Sequence, residues 1–342
     1  MSSSSPTPSA AEIEVLHSNV DAALASTGSA SIVRARVSKA TCALLAVAPL
    51  RTHARIGVWS SLLCIPEGID DDAHLAAAIA NVALTAPNQR VITADAARTR
   101  ADDVNFAGAA SRIERLLTYY VSAGGGHGGV NAVTYRQGLN EVLAGVLLAG
   151  FASVVTPPLS GDLLSSSSNH LPLSDARASA LLAGIVSRFI PRVYAGAGDA
   201  DMTALQCSLV LFRLQLLYHD PALARHLSGF NVPPELYAVP WFLTLFARGA
   251  VPSVVLALWD ILIAAADSPG PALLHSIAVA FAANHRESLL ASSSQGTAAA
   301  ELPAQAARLA FRDVAHARAV AAAGLDVHRR TPLSFRRLTA AV

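Results

Sequence analysis

Lysine is almost missing from this sequence. Among its 342 residues there is one lysine, Lys39, against 24 arginines, and charged residues of all kinds make up only 14%. The basic total of 25 and the acidic total of 24 nearly cancel. A general nucleic-acid binder, or a protein that binds anionic membrane surfaces, needs an excess of basic side chains. The charge balance therefore argues against both classes of protein.

Cysteine and long apolar runs are also scarce. Cys42, Cys64 and Cys207 lie far apart and form no Cys-x-x-Cys pair. This spacing argues against a disulfide framework or a structural zinc site, and it favours a reducing compartment. The apolar runs are interrupted before they reach the roughly 18–20 residues that span a membrane. We expect a cytoplasmic protein with no transmembrane segment and no signal peptide.

Apolar, helix-forming sequence is abundant. Hydrophobic residues make up 53% of the chain, and alternating β-branched runs are nearly absent. At residues 113–120 apolar side chains recur at the i, i+3, i+4 and i+7 spacing of an amphipathic helix. The sequence therefore predicts an all-α fold with a single multi-helix domain. Helices are predicted at residues 10–26, 70–84, 136–155, 175–190, 202–218, 233–247, 252–266, 272–290 and 303–322.

Few familiar catalytic motifs occur. Residues 124–129 formally satisfy Gly-x-Gly-x-x-Gly, but they follow a helical pattern rather than a strand, so we interpret them as a loop. His219, which precedes Asp220, is interpreted as a structural residue rather than a metal ligand or a base. The three tryptophans and Asp260 are interpreted as core residues, with Asp260 hydrogen-bonded where two helices meet.

Two short segments carry more chemical information. In VITADAARTR, residues 91–100, Asp95 precedes Arg98 by three positions, so a helix would place both on one face, where the carboxylate can orient the guanidinium. In YRQGLN, residues 135–140, Gln137 precedes a glycine that permits close backbone approach. From these residues alone, a surface ion pair and a glutamine at a helix start are the simpler explanation.

Together the two segments resemble the paired signature motifs of the TBC domain, the family of Rab GTPase-activating proteins. The family pattern Ile-x-x-Asp-x-x-Arg-Thr is followed by Tyr-x-Gln-Gly-x-Asn, and here Arg98 and Gln137 are 39 positions apart. The likeness covers residues 45–295. Further segments that match in order are RIGVWSSLL at 55–63, LLYHDPALARHL at 216–227, WFLTLFAR at 241–248 and LALWDILI at 256–263.

The resemblance implies a GTPase-activating protein that supplies two side chains to its partner. Arg98 would be the arginine finger, and Gln137 would be the glutamine finger that replaces the GTPase's own glutamine. The resemblance assigns supporting roles to Asp95, Thr99, Tyr135, Gly138 and Asn140. It implies no independent enzymatic reaction and no cofactor of the protein's own, because GTP and Mg²⁺ belong to the GTPase.

Under this interpretation residues 41–322 form the TBC domain. A Ser/Pro-rich, partly disordered arm at residues 1–40 precedes it, and a basic tail at residues 323–342 follows it. A Pro/Ser-rich insertion at residues 156–172 departs from the family pattern. The implied partner is a GTP-bound Rab-family GTPase, with a role in vesicle trafficking and at most peripheral association with endomembranes. A catalytically inactive TBC scaffold stays open as an alternative, as does an unrelated helical scaffold in which the motifs are coincidental.

Overall fold

Helix is the regular secondary structure of the described part of the chain. The computed structural model describes residues 8–69, 72–80, 86–123, 135–151, 173–194, 202–265, 270–291 and 298–341. These ranges contain no β-strand, which confirms the predicted all-α fold. The Gly-rich segment at 124–129 and the insertion at 156–172 lie outside the described residues.

The α-helices are numbered in chain order. Helices α1 to α8 are Ala10–Leu24, Ala30–Leu45, Thr52–Leu62, Asp72–Ala80, Ala86–Arg98, Ala110–Ser122, Leu139–Leu148 and Asp175–Phe189. Helices α9 to α17 are Thr203–His219, Pro221–Gly229, Val239–Thr244, Pro252–Ala264, Gly270–Asn284, Arg286–Ala291, Ala298–Ala307, Val314–Arg330 and Leu333–Ala340. Short 3-10 helices at Val104–Phe106 and Pro234–Leu236 precede α6 and α11.

The core is centred on α12 and α13. Residues 254–264 of α12 and residues 270–282 of α13 are all buried. Helix α16 packs closely on α13, because Gly324 has no side chain there. A Cβ at Gly324 would lie 2.5 Å from Ile277 Cγ1. A larger residue at this position would therefore push the two helices apart.

A buried ion pair joins α3 to α12. Arg55 Nε donates to Asp260 Oδ1 at 3.0 Å, and Trp59 Nε1 donates to the same oxygen at 2.9 Å. Arg55 Nη2 also donates to Asp260 Oδ2 at 3.1 Å and to the Leu50 carbonyl at 3.0 Å. These contacts confirm that Asp260 is hydrogen-bonded where two helices meet. All three tryptophans are buried, as predicted.

His219 and Asp220 take part in the packing of neighbouring helices. His219 Nε2 lies 2.9 Å from Thr331 Oγ1, at the end of α16. The Asp220 carboxylate accepts the Leu223 backbone N–H at 3.0 Å and so caps α10. Both contacts agree with a structural role for this pair.

The N-terminal helices are packed parts of the fold. Helix α1 agrees with the helix predicted at 10–26, and α2 contacts both α3 and α12. Val20 of α1 and Val37 of α2 are buried. The predicted domain boundaries at residues 40 and 322 lie within α2 and α16, each of which is one continuous helix.

The predicted helix at 303–322 is wrong in its extent, because α15 ends and α16 begins within that range. The Asp313 carboxylate accepts the His316 backbone N–H at 2.7 Å and starts a new helix. A side chain that caps a helix favours a break in an alanine-rich run that could otherwise continue. The segments predicted at 233–247 and 272–290 are also each divided into two helices.

Candidate functional site

The end of α5 presents a buried carboxylate next to an exposed guanidinium. Asp95 is 1% exposed, whereas the Arg98 side chain, on the last residue of the helix, is 58% exposed. Arg98 Nη2 donates to Asp95 Oδ1, one helical turn earlier. The predicted contact between Asp95 and Arg98 is therefore present, and the Arg98 side chain keeps more than half of its surface open to solvent.

Tyr135 holds the other oxygen of the same carboxylate. Its hydroxyl donates to Asp95 Oδ2 at 2.6 Å. Burial, reinforced by this hydrogen bond, raises the pKa of Tyr135, so the phenol is protonated and donates at neutral pH. Because Tyr135 lies two positions before Gln137, the hydrogen bond fastens the Gln137 loop to the end of α5.

A second chain of hydrogen bonds joins α5 to α7. Thr99 Oγ1 donates to the Asp95 carbonyl at 2.6 Å and accepts from Asn140 Nδ2 at 2.9 Å. Asn140 Oδ1 in turn accepts the Gly138 backbone N–H at 3.0 Å. Thr99 and Asn140 are both buried. These side chains therefore fix the backbone on both sides of Gln137, since Tyr135 holds it from before and Asn140 from after.

Gly138 occupies a conformation and a space that suit glycine alone. Its φ is +117°, a region that L side chains rarely adopt. A Cβ there would lie 3.0 Å from the Tyr194 hydroxyl and 3.5 Å from Leu243 Cβ. Tyr194 is itself held, because its hydroxyl donates to the Leu243 carbonyl at 2.7 Å. The glycine therefore lets the Gln137 loop lie directly against this segment.

Gln137 itself is not part of the hydrogen-bond network around it. The residue is exposed, and its amide makes no hydrogen bond within the described part of the chain. Six of the seven sequence-predicted site residues thus form one connected network, which consists of Asp95, Arg98, Thr99, Tyr135, Gly138 and Asn140. Gln137 lies in the chain between Tyr135 and Gly138, which belong to the network, and its carboxamide is unpaired within the described residues.

Sequence reasoning missed Arg100. This residue has a positive φ of 47°, and its side chain is 10% exposed. Arg100 Nη2 donates to the Ala247 carbonyl at 2.8 Å, and Nη1 donates to the Ala250 carbonyl at 3.1 Å. Its Nε lies 3.8 Å from Glu141 Oε2. Burial raises the pKa of Glu141, and the charges of Arg100 and Arg248 oppose that rise. Arg100 thereby ties the α5 end to α7 and to the segment before α12.

Neither a metal-binding cluster nor a membrane-spanning helix is found among the described residues. Within them no three or more His, Cys, Asp or Glu side chains are grouped so that they could hold a metal ion. Over the same residues, no helix has both the length and the apolar character needed to cross a membrane.

Comparison with known proteins gives a consistent family assignment. A family model described as the Rab-GTPase-TBC domain matches residues 53–290. The fold is similar to the crystal structure of the Ypt/Rab-GAP domain of Gyp1p, with a TM-score of 0.69 at 15% identity over 93% of this chain and 98% of that one. It is also similar to the Chlamydomonas flagellar RabGAP TBC domain, with a TM-score of 0.56 at 16% identity over 94% and 97% of the two chains.

Curated relatives match over shorter stretches. The human TBC domain-containing protein kinase-like protein is 35% identical over 85 residues, which are 25% of this chain and 10% of that protein. The Dictyostelium discoideum protein of the same name is 28% identical over 121 residues, which are 35% of this chain and 11% of that protein. The matched stretches therefore span about a tenth of the length of these relatives.

Proposed function

Because the chain belongs to the Rab-GTPase-TBC domain family, we propose that it accelerates GTP hydrolysis by a Rab-type small GTPase. Arg98 and Gln137 are the residues that it supplies to the partner's nucleotide. The observation that carries the proposal is the buried Asp95 carboxylate, which binds Arg98 through one oxygen and Tyr135, next to the Gln137 loop, through the other. One carboxylate thus contacts both Arg98 and a residue of the loop that carries Gln137.

The proposed role of Arg98 follows from the charge that develops in the reaction. In phosphoryl transfer the negative charge is spread over the transferred phosphoryl oxygens, and a fixed cation stabilises it. A guanidinium is suited to this because it stays charged and presents several donors in one plane. An arginine supplied in this way is worth about 10³–10⁵ in rate, or roughly 4–7 kcal/mol. The exposed end of Arg98 is available for that contact.

The proposed role of Gln137 is to orient the attacking water. A carboxamide can accept a hydrogen bond from the water through its oxygen and donate one through its nitrogen. The backbone on either side of Gln137 is held by Tyr135 and Asn140, which limits the entropy that the residue would lose on reaching the nucleotide.

The proposed partner is a Rab-family GTPase in its GTP-bound form. GTP and Mg²⁺ come with that partner, and the protein contributes side chains rather than a cofactor. We place the protein in the cytoplasm, at most peripherally on endomembranes through the GTPase, with a role in vesicle trafficking. The choice among Rab proteins depends on surfaces around the site.

A TBC scaffold that binds a GTPase without activating it is the alternative function. It gives the same Asp95–Arg98 contact a different role, because a carboxylate can hold an arginine without presenting it to a nucleotide. An arginine held only in this way would serve as a local ion pair. The two functions differ in whether binding of the GTPase is followed by faster hydrolysis.

Single-turnover hydrolysis of GTP by a panel of purified Rab proteins tests the proposal. We expect acceleration of at least one Rab, and we expect Arg98→Ala and Gln137→Ala each to reduce it by about 10³-fold or more. Arg90→Ala is the matched control, since Arg90 is an exposed arginine on the same helix and lies outside the network. Acceleration that persists in both variants would contradict the assignment, and binding without acceleration would favour the scaffold.

A further inference from the structure

A cavity of about 310 Å³ opens beside the segment that joins α11 to α12. Its lining also includes residues of α13 and of the chain between α15 and α16. Five aromatic side chains line it, namely Tyr237, Trp241, Phe246, Phe281 and Phe311. None of these residues belongs to the network around Asp95.

The aromatic walls hold one another in place. Trp241 and Phe246 stack with ring centroids 5.7 Å apart. Phe281 approaches Trp241 edge-on at 5.0 Å and lies 4.5 Å from Phe311. Contacts of this kind favour defined ring orientations. Because Trp241, Phe246 and Phe281 are also buried, the shape of the cavity does not depend on a single flexible side chain.

Two guanidinium groups make the cavity mouth positive. Arg248 and Arg308 both line the cavity and are exposed, and neither side chain makes a hydrogen bond or an ion pair within the described ranges. None of the described lining residues is acidic. Arg248 acts electrostatically on Glu141, which already faces Arg100 at 3.8 Å. Within the described residues, the two guanidinium groups at the mouth therefore have no carboxylate in contact with them.

We infer that this cavity binds a small aromatic acid, with its ring against the aromatic walls and its carboxylate on Arg248 and Arg308. Small-molecule sites combine apolar walls with a few convergent polar groups and begin at about 300 Å³. A guanidinium binds a carboxylate through directed, charge-assisted hydrogen bonds. The inference does not rest on the proposed function, because it uses neither Arg98 nor Gln137.

The cavity adjoins the segment that Arg100 holds. Ala250 is a lining residue, and its carbonyl accepts the hydrogen bond from Arg100 at 3.1 Å. Gly249, also in the lining, has a positive φ of 75° and adds no side chain to this part of the mouth. A bound acid would therefore contact the same backbone segment that is tied to the end of α5.

Ligand-observed saturation-transfer NMR on the full chain tests the inference with two matched probes. Naphthalene-2-carboxylate carries the charge, and naphthalene-2-carboxamide has nearly the same shape without it. We expect the carboxylate to bind about tenfold more tightly, because one charge-assisted hydrogen bond accounts for about that factor. In the double variant Arg248→Gln, Arg308→Gln, the carboxylate should bind only as tightly as the carboxamide. Arg225→Gln, on α10 and outside the lining, is the matched control.

A second variant tests the location. Ala310 is exposed in the cavity lining, so Ala310→Trp should fill the space and weaken both probes by about tenfold or more. Thermal unfolding confirms that each variant is folded. Equal affinity of the two probes, or carboxylate binding that survives the loss of both arginines, would overturn the inference. Failure of the folded wild-type chain to bind either probe saturably would overturn it too, as would wild-type affinity in Ala310→Trp.

Discussion

At the residue scale, the candidate site depends on Asp95. This carboxylate is 1% exposed, and a buried charge is stable only when its oxygens have partners. Arg98 and Tyr135 supply one partner for each oxygen. The same contacts give the exposed guanidinium of Arg98 a fixed direction. The cost of burying Asp95 is thus offset by the groups that it positions.

Tyr135→Phe removes one of these partners without changing the shape of the ring. We expect GTPase activation to fall about tenfold at saturating protein while the half-saturating concentration stays the same, because the change affects orientation rather than contact with the GTPase. We also expect a loss of about 1.5–3 kcal/mol in the free energy of unfolding, since the lost hydrogen bond is to a charged group. Single-turnover hydrolysis and urea unfolding measure the two effects.

The control for this prediction is Tyr120→Phe. Tyr120 is also a buried tyrosine, but it lies on α6 and outside the network. Its loss of a hydroxyl should leave activation at the wild-type rate. Equal activation by Tyr135→Phe and the wild type would show that the phenol does not position Arg98.

The same residues show what local sequence could predict. Asp95 and Arg98 are one helical turn apart, so their contact follows from helical spacing alone. Tyr135 came from the family motif rather than from spacing. Arg100 could not be found in either way, because its acceptors lie at Ala247 and Ala250, about 150 positions along the chain. Because the chain has 24 arginines, the residue type alone does not distinguish Arg100 from the others.

At the scale of elements, the contact of α3 with α12 depends on one buried ion pair. Asp260→Asn would leave the Arg55 guanidinium charged and buried without its counter-ion. We expect the free energy of unfolding to fall by about 3–5 kcal/mol, which is the usual loss when one partner of a buried pair is removed. Urea unfolding followed by circular dichroism measures it.

Asp326→Asn is the matched control, because Asp326 pairs with Arg329 and Arg330 on the surface of α16 and is 51% exposed. Surface pairs contribute about 0–1 kcal/mol, so this variant should stay close to the wild type. Similar losses in Asp260→Asn and Asp326→Asn would mean that the α3–α12 pair contributes no more than a surface contact.

Helix ends were harder to predict than helices. The sequence predicted both α12 and α13, because each is a nearly continuous run of apolar residues, and both helices are buried. The break between α15 and α16 was missed because alanine favours helix on both sides of it. The break depends on Asp313, whose capping hydrogen bond competes with continuation of the helix. A single polar side chain determines such a boundary, and the spacing of apolar residues does not reveal it.

At the scale of the whole molecule, buried and half-buried histidines link stability to pH. Burial is the largest cause that lowers the pKa of His17, His219, His275, His285, His316 and His328. A histidine with a lowered pKa binds its proton less readily in the folded chain than in the unfolded chain. Its contribution to stability is therefore fully present above the unfolded value of 6.5 and is lost as the pH falls. All six act in the same direction.

His275 should dominate this loss, because it is the most deeply buried of these histidines, and burial lowers its pKa to about 4. Its ring nitrogens lie 2.7 Å from the Pro271 carbonyl and 3.2 Å from the Ser208 carbonyl, which restrain the ring without compensating for burial of the charge. Between pH 7 and pH 5 His275 becomes protonated in the unfolded chain but stays largely neutral in the folded chain. We expect the free energy of unfolding to fall over that interval by about 2 kcal/mol less in His275→Gln than in the wild type.

His219→Gln is the comparison variant, and it should reduce the fall by less, since His219 is only half-buried. Urea unfolding at the two pH values measures the difference, and the same fall in His275→Gln and the wild type would show that His275 titrates alike in both states.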